Sequence, residues 1–389
     1  MKKPAVLFIV LSMALWIQIP RIFCQEEMLL IQGNLRVLSL TGSPHARGLR
    51  HGQVLKKDIQ ALIKLWNADI AAKYKTDPDV FIKKFLAETD FTTAVKKWTP
   101  DLMEEVRGIA EGADIDFETM FAFQLVDEMW VLGGEIMSGH HCTTIGMNRT
   151  EKGPAIVSQT LDIPAFYHGF QTLLRISDDK SSLDTILFTF PGFIAANGLN
   201  SASVAVVVNA VQQLEHSRNG LPVAFVIRGI LQRESLSDAL EFIRSITFGS
   251  PQNYMISGPL RMGSFECSAN HIEEFLPFPG AQFTYHTNHP LKNRYFTPQI
   301  LETMRSRNIS PEEYQFKCKR FESLQKILKD DSMPVDVEKL KEIYRDRETV
   351  INNRGTFGVT IMVLGKNPVL HISPGRPDET PYLIFDFKK

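Results

Sequence analysis

Two different spacings of apolar residues divide this chain. Between Gly42 and about Leu132, apolar side chains such as Leu102, Val106 and Ile109 recur every three to four residues, which predicts amphipathic helices. Beyond Gly139 the pattern changes to short runs of β-branched and aromatic residues that end at Gly, Pro, Asn or Asp, which predicts strands. The runs lie at Ala155–Val157, Thr172–Ile176, Thr185–Phe190, Ser203–Val211, Gln282–His286, Val359–Leu364 and Tyr382–Phe387.

Helical segments interrupt the predicted strands. Leu221–Arg233 and Ser235–Ile246 carry helical periodicity, and the second begins with a Ser-x-x-Asp capping box. The charged stretch 298–344 is also helical and is predicted to be a surface insertion. Helices before, between and after strands, without strict alternation, predict an α+β fold and not a doubly wound parallel sheet.

Composition narrows the class of protein. The 389 residues are 44% hydrophobic and 22% charged, which is typical of a globular chain with a large core. The 43 Lys and Arg residues nearly balance the 44 Asp and Glu residues, for a formal net charge of −1. A near-neutral chain argues against nucleic acid as a partner, because such affinity depends on a basic surface. No sequence motif requires a cofactor.

The N-terminus resembles an export signal. Two lysines precede an apolar run over 5–19, which is shorter than the ~20 residues that span a bilayer. We therefore predict a signal peptide at 1–24, no transmembrane segment, and a secreted or periplasmic mature protein. The bulky Phe23 argues against lipid attachment at Cys24.

The cysteines point to one candidate nucleophile. Loss of Cys24 with the signal would leave Cys142, Cys267 and Cys318, and an odd number in an exported protein implies a free thiol. Cys142 lies in the segment Gly139–Gly146, where the helical pattern gives way to strands. Serine-hydrolase elbows, P-loops and zincin motifs are absent from the sequence.

Three interpretations of Cys142 remain open from the residues alone. It could be a structural residue at the start of a strand. It could bind zinc together with His140, His141, His286 and His289, although adjacent histidines on a strand point to opposite faces.

In the third interpretation, cleavage between His141 and Cys142 makes Cys142 an N-terminal nucleophile. Its α-amine would have a pKa of about 8, against about 10.4 for lysine, so one residue could supply both nucleophile and base. Asp162 ends a predicted strand antiparallel to the one that Cys142 opens, and could support the amine. Asn288, at another strand end, could donate to an oxyanion.

These residues resemble a known family. Cys142-Thr143-Thr144, followed by Asp162 and by Thr287-Asn288-His289, is similar to the acyl-coenzyme A:6-aminopenicillanic acid acyltransferase (isopenicillin N acyltransferase) family of N-terminal-nucleophile (Ntn) hydrolases. Further matching blocks are Gly42-Ser43-Pro44 with Gly48 and His51-Gly52, Glu104–Asp114, Asn197–Ser201 with Val204–Asn209, Leu221–Val223 with Arg228–Leu231, and Ser373–Gly375 with Pro381-Tyr382.

The resemblance implies a fold and an activity. It implies a four-layer αββα sandwich over 25–389, made from a precursor that cleaves itself into an α chain, 25–141, and a β chain, 142–389. The implied activity is that of an amidohydrolase or acyltransferase, acting through an acyl-enzyme on a small-molecule linear amide other than a peptide bond. The alternative is an exported protein that keeps the fold without cleavage, or binds a metal, and has no amidase activity.

The resemblance also implies roles for residues. Cys142 would be the nucleophile of cleavage and turnover, Asp162 would support its amine, and Asn288 would build the oxyanion hole. Thr143 and Thr144 would be local hydrogen-bonding partners.

Further support for the site is expected from Phe166 and Tyr167, which could line an acyl pocket, and from Arg354, which could face the substrate or oxyanion. Two positions depart from the pattern. His141 stands where the family commonly has glycine, and Gln159 stands where related bile salt hydrolases have arginine.

Overall fold

The computed structural model describes residues 29–133, 142–178, 182–314, 316–329, 335–349, 351 and 355–388. Nine of the described strands form one sheet in the order β1-β2-β5-β6-β7-β8-β9-β10-β11. Their bounds are β1 (Leu30–Gln32), β2 (Leu35–Gly42), β5 (Thr172–Asp178), β6 (Asp184–Thr189), β7 (Asn197–Asn200), β8 (Ala205–Ala210), β9 (Gln252–Ser257), β10 (Met262–Cys267) and β11 (Ile272–Glu274).

A second sheet holds the other six described strands, in the order β12-β3-β4-β13-β14-β15. All of its neighbouring strands run antiparallel. Their bounds are β3 (Thr143–Met147), β4 (Ala155–Asp162), β12 (Phe283–His286), β13 (Thr356–Leu364), β14 (Val369–Ser373) and β15 (Leu383–Asp386).

Helices cover the outer faces of both sheets. The described helices are α1 (Pro44–Val54), α2 (Lys56–Tyr74), α3 (Pro78–Ala87), α4 (Phe91–Trp98), α5 (Pro100–Ala113), α6 (Phe117–Phe123), α7 (Val126–Leu132), α8 (Val223–Leu231), α9 (Leu236–Ser245), α10 (Pro298–Ser306), α11 (Lys319–Ile327) and α12 (Val337–Arg345).

Alternation along β4 shows how the layers stack. Val157 and Leu161 face the nine-stranded sheet and share an apolar cluster with Val206 of β8. Ile156, on the opposite face, packs in a second cluster with Leu340 of α12. With α8 and α9 on the outer side of the nine-stranded sheet, the layers are helix, sheet, sheet, helix. The α+β, four-layer prediction is confirmed.

The prediction of a surface insertion at 298–344 is wrong for its second half. Helices α11 and α12 bury Leu324, Leu340 and Ile343 against the six-stranded sheet. The Tyr344 hydroxyl lies 2.6 Å from Ser158 Oγ of β4. Charges fill the exposed faces of these helices, which made an amphipathic outer layer look like a solvated insertion.

Glycines let α1 and α5 touch backbone to backbone. A Cβ on Gly48 would lie 2.0 Å from the Glu105 carbonyl oxygen, and one on Gly112 would lie 2.2 Å from that of Leu49. Only glycine allows so close an approach. This contact explains the glycines of two blocks that carried the family resemblance.

A buried ion cluster fastens the same helices to α8. The Glu105 carboxylate accepts from Arg47 Nε at 2.7 Å and from Arg228 Nη1 and Nη2 at 2.5 and 2.9 Å. All three side chains are at most 4% exposed. Burial alone would raise the pKa of Glu105, but the two guanidinium groups outweigh it and lower the pKa to about 2.

The predicted division into signal, α and β segments stays a prediction, since its boundaries at 24 and 141 lie outside the described residues. Within the described part of the chain, none of the helices combines the length and the apolarity that crossing a bilayer requires.

Candidate active site

The antiparallel register of three strands brings the predicted site residues together. Cys142 precedes β3, Asp162 is the last residue of β4, and Asn288 follows β12. Because β3 pairs antiparallel with both neighbours, its start lies beside the ends of β4 and β12. The Cys142 thiol lies 4.0 Å from the backbone oxygen of Asp162, so the predicted hairpin pairing is confirmed.

The Cys142 thiol is held in its neutral form. It is 8% exposed, and burial, followed by the charge of Asp162, raises its pKa to about 12. The charge of Arg320 acts in the opposite direction and is too weak to offset burial. A thiol in this environment needs an adjacent base before it can act as a nucleophile.

Arg320 of α11 joins the site and was missed from the sequence. Its Nη1 donates to the Cys142 carbonyl at 2.6 Å and to Thr143 Oγ1 at 3.0 Å, and its Nη2 donates to Asn288 Oδ1 at 3.1 Å. Beside Lys319, Glu322 and Lys326 of α11 it resembles a solvated charge. The sequence does hold one indication that Arg320 faces inward: it lies four residues before Leu324 and therefore on the same, buried face of the helix.

The Asn288 side chain is fixed in one orientation by these contacts. Its oxygen accepts from Arg320, while its Nδ2 donates to the backbone oxygen of Ala210 at 3.1 Å. An amide nitrogen carries two hydrogens, so a second donor remains for a ligand. Asn288 is among the residues that line the cavity beside Cys142.

A buried carboxylate holds the loop that carries Asn288. Glu266 of β10 accepts from the backbone N–H groups of 291–293, at 2.6, 2.9 and 2.6 Å, and its Oε1 lies 2.7 Å from His286 Nε2. Burial would raise the pKa of Glu266, but these donors lower it. The loop is therefore tied at both ends to an ionised group.

Thr143 and Thr144 take up local hydrogen bonds. The Thr143 backbone N–H donates to Thr160 Oγ1 at 3.1 Å, and Thr144 Oγ1 donates to Asn209 Oδ1 at 2.7 Å. Gln159 Nε2 donates to Val208 O at 2.5 Å, and its Oε1 accepts from Asn197 Nδ2 at 2.8 Å. Gln159 thus links the two sheets.

A small cavity of about 60 Å³ adjoins the thiol. Cys142, Asp162 and Asn288 line it, and so does Asp127. Tyr167 lines the cavity and Phe166 does not; the ring centroids of Phe166 and Tyr167 lie 4.2 Å apart. The remaining walls come largely from apolar residues: Val126, Trp130, Leu161, Ile163, Phe190, Phe193, Ala195, Ala196, Val208, Ala210, Val223 and Ile227.

Three residues considered from the sequence, His140, His141 and Arg354, lie outside the described residues. Both ring nitrogens of His286 are engaged, by Glu266 and by the Thr287 carbonyl. Across the described part of the chain, no three His, Cys, Asp or Glu side chains form a group that could hold a metal ion.

Comparison with known proteins identifies relatives. Residues 154–361 match the family model described as acyl-coenzyme A:6-aminopenicillanic acid acyl-transferase. An Emericella nidulans protein, the acyl-coenzyme A:6-aminopenicillanic-acid-acyltransferase 40 kDa form, is 30% identical over 213 residues, which cover 52% of this chain and 55% of that protein. An uncharacterized protein of Archaeoglobus fulgidus is 22% identical over 348 residues, 79% of this chain and 57% of that one. The chain spans about half the length of the curated relatives it matches.

Solved structures with local similarity include the Caenorhabditis elegans ortholog of N-acylethanolamine-hydrolyzing acid amidase, at 16% identity and a TM-score of 0.40, covering 57% of this chain and 92% of that chain. Penicillin V acylase from Agrobacterium tumefaciens aligns at 11% identity and a TM-score of 0.39, covering 64% of this chain and 87% of that one.

Proposed function

Because the chain belongs to the acyl-coenzyme A:6-aminopenicillanic acid acyltransferase family, we propose that it is a self-cleaving amidohydrolase or acyltransferase that uses Cys142 as an N-terminal nucleophile. The observation that carries the proposal is the meeting of Cys142, Asp162 and Asn288 beside one cavity. The names of the relatives favour a small-molecule amide as substrate. The predicted signal peptide favours an exported precursor, and export favours hydrolysis over transfer from a cytoplasmic acyl-coenzyme A.

Cleavage of the His141–Cys142 bond would supply the missing base. With the thiol pKa raised to about 12, Cys142 in the intact chain holds its proton at neutral pH. A new α-amine with a pKa of about 8 would be partly neutral and would sit on the same residue as the thiol. Asp162, which is fully buried at the end of β4, would orient that amine.

Turnover would proceed in two steps. The Cys142 sulfur attacks the amide carbonyl carbon while the thiol proton passes to the α-amine, and Asn288 Nδ2 donates to the oxyanion that forms. The amine returns the proton to the leaving nitrogen, the C–N bond breaks, and a thioester remains. Water or an acceptor amine then attacks the thioester by the same proton route and restores the thiol.

Arg320 would keep this constellation in register. It binds the Cys142 carbonyl and the Asn288 oxygen together. With its oxygen bound to the Arg320 guanidinium, the Asn288 side chain would keep its nitrogen available as the donor to the oxyanion.

Intact mass and N-terminal sequencing of the purified protein test the proposal. We expect a chain that begins at Cys142, with a mass of about 28 kDa, and a partner of about 13 kDa. The Cys142→Ala variant should remain a single chain, and Cys318→Ala, which removes a thiol outside the site, should cleave as the wild type does.

Activity gives the second arm of the test. The cleaved wild type should form a thioester adduct with a short-chain acyl p-nitroanilide, detected by mass on the β chain, and release p-nitroaniline. An uncleaved wild-type protein whose amide turnover survives Cys142→Ala would overturn the proposal and favour a non-cleaving protein with this fold.

A further inference from the structure

One wall of the cavity carries acidic and polar groups that the reaction above does not use. Asp127 of α7 lines the cavity together with the apolar Val223 and Ile227 of α8. In the described part of the chain, its Oδ1 accepts one hydrogen bond, from Gln252 Nε2 at 3.5 Å. Among the described residues, no Lys, Arg or His side chain pairs with it.

Neighbouring groups add to the polarity of this wall. Tyr167, 1% exposed, lines the same cavity, and its hydroxyl has no hydrogen-bond partner among the residues that the structure describes. The charge of Asp127 is a secondary cause, after burial, of the raised pKa of Tyr167, which places the two groups within electrostatic range of each other. A carboxylate and a phenol oxygen are both acceptors for N–H donors.

Asp127 is partly buried, and a carboxylate withdrawn from water with no cation paired to it among the described residues is costly. Burial raises the pKa of Asp127 to about 7, so near neutrality the group is poised between its neutral and charged forms. A cationic ligand at contact distance would favour the charged form and recover part of the desolvation cost. A primary ammonium offers three N–H donors to a carboxylate and a phenol oxygen, whereas a methyl group offers none.

We propose that Asp127 and Tyr167 make this site selective for amides whose short acyl group carries a primary ammonium. The proposal rests on the proposed function, since it assigns the substrate class of the same cavity. A volume of about 60 Å³ suits an acyl group of a few heavy atoms and leaves little room for a long chain.

An isosteric pair of substrates tests the selectivity. Glycyl p-nitroanilide and propionyl p-nitroanilide differ in that an ammonium replaces a methyl group. We expect the cleaved enzyme to prefer the glycyl compound by about 10- to 100-fold in kcat/KM. Asp127→Asn should remove most of this preference, mainly by raising KM for the glycyl compound. Tyr167→Phe should reduce the preference in part.

Asp101→Asn is the matched control, because it removes one carboxylate from an exposed position at the start of α5. It should leave the ratio unchanged. Equal turnover of both substrates by the wild type, or a glycyl preference that survives Asp127→Asn, would overturn the proposal and leave the amidase function standing.

A binding measurement separates failure of the two proposals. In the Cys142→Ala chain, glycinamide should raise the melting temperature more than propionamide at equal concentration, and Asp127→Asn should remove the difference. If the wild type turns over neither substrate but glycinamide stabilises selectively, the selectivity stands and the amidase function fails. Equal shifts from both amides would overturn the selectivity.

Discussion

Two acidic side chains of the helical layer, Glu105 and Asp127, differ in how their charge is compensated. Glu105 of α5 has a guanidinium group on each side and a pKa lowered to about 2, whereas Asp127 of α7 has one distant amide contact and a pKa raised to about 7. Glu105 is 1% exposed, whereas Asp127 is only partly buried. A carboxylate with its charge balanced holds helices together, while one without a cation beside a cavity is a candidate for binding a ligand.

The largest effect on stability is expected from a change at Glu105. Glu105→Gln would leave Arg47 and Arg228 buried without an anion, and we expect the free energy of unfolding to fall by about 3–5 kcal/mol. Urea unfolding of the uncleaved Cys142→Ala chain at neutral pH measures this loss.

Glu104→Gln, on the exposed side of the same helix, is the control for Glu105 and should change stability by less than about 0.5 kcal/mol. A loss below about 1 kcal/mol in Glu105→Gln would contradict the view that this cluster fastens α1, α5 and α8.

Removing the charge of Asp127 should raise the free energy of unfolding, whereas removing that of Glu105 should lower it. A folded pKa raised from 3.8 to about 7 means that the folded state binds more protons than the unfolded state between those values, so stability falls as pH rises through that window. Asp127→Asn removes this loss, and should be more stable than the wild type by roughly 2–4 kcal/mol at pH 8 and by little at pH 4.

The measurement is the difference between the two unfolding free energies from pH 4 to 8. Neighbouring titratable groups have raised pKa values of their own and remain in both proteins: Glu128, Cys142, Tyr167 and Tyr254. A difference that is flat across this range would show that the charge of Asp127 is compensated after all.

Glu266 is a third carboxylate, buried and compensated mainly by N–H donors, and its effect should appear in catalysis. Glu266→Gln would loosen the loop that carries Asn288, so we expect kcat on propionyl p-nitroanilide to fall by about 10- to 100-fold with KM within about twofold. Glu266→Asp, which keeps the charge, should recover part of the loss. Equal changes in kcat and KM would indicate a general structural role instead.

Much of the site was predictable from residue types and strand order. Cys142, Asp162 and Asn288 lie at strand ends, and antiparallel pairing brings such ends together. Arg320 and Asp127 were missed, because each lies on a short helix whose packing decides which charges face inward, and the spacing of Arg320 from Leu324 is a weak signal beside the surrounding charges. Phe166 was assigned to the cavity with its neighbour Tyr167, but the short 3-10 turn at Ala165–Tyr167 directs only Tyr167 to the cavity.

By itself the sequence determined the α+β class and the change from helical to strand periodicity before Cys142, and it predicted candidate residues for chemistry, because these depend on local spacing and side-chain type. The tertiary structure alone decided which charges are balanced. The Glu105 carboxyl is strongly ionised beside Arg47 and Arg228, whereas the Asp127 carboxyl is poised between its two forms beside the cavity. The pKa of a carboxyl group depends on which groups the fold places against it.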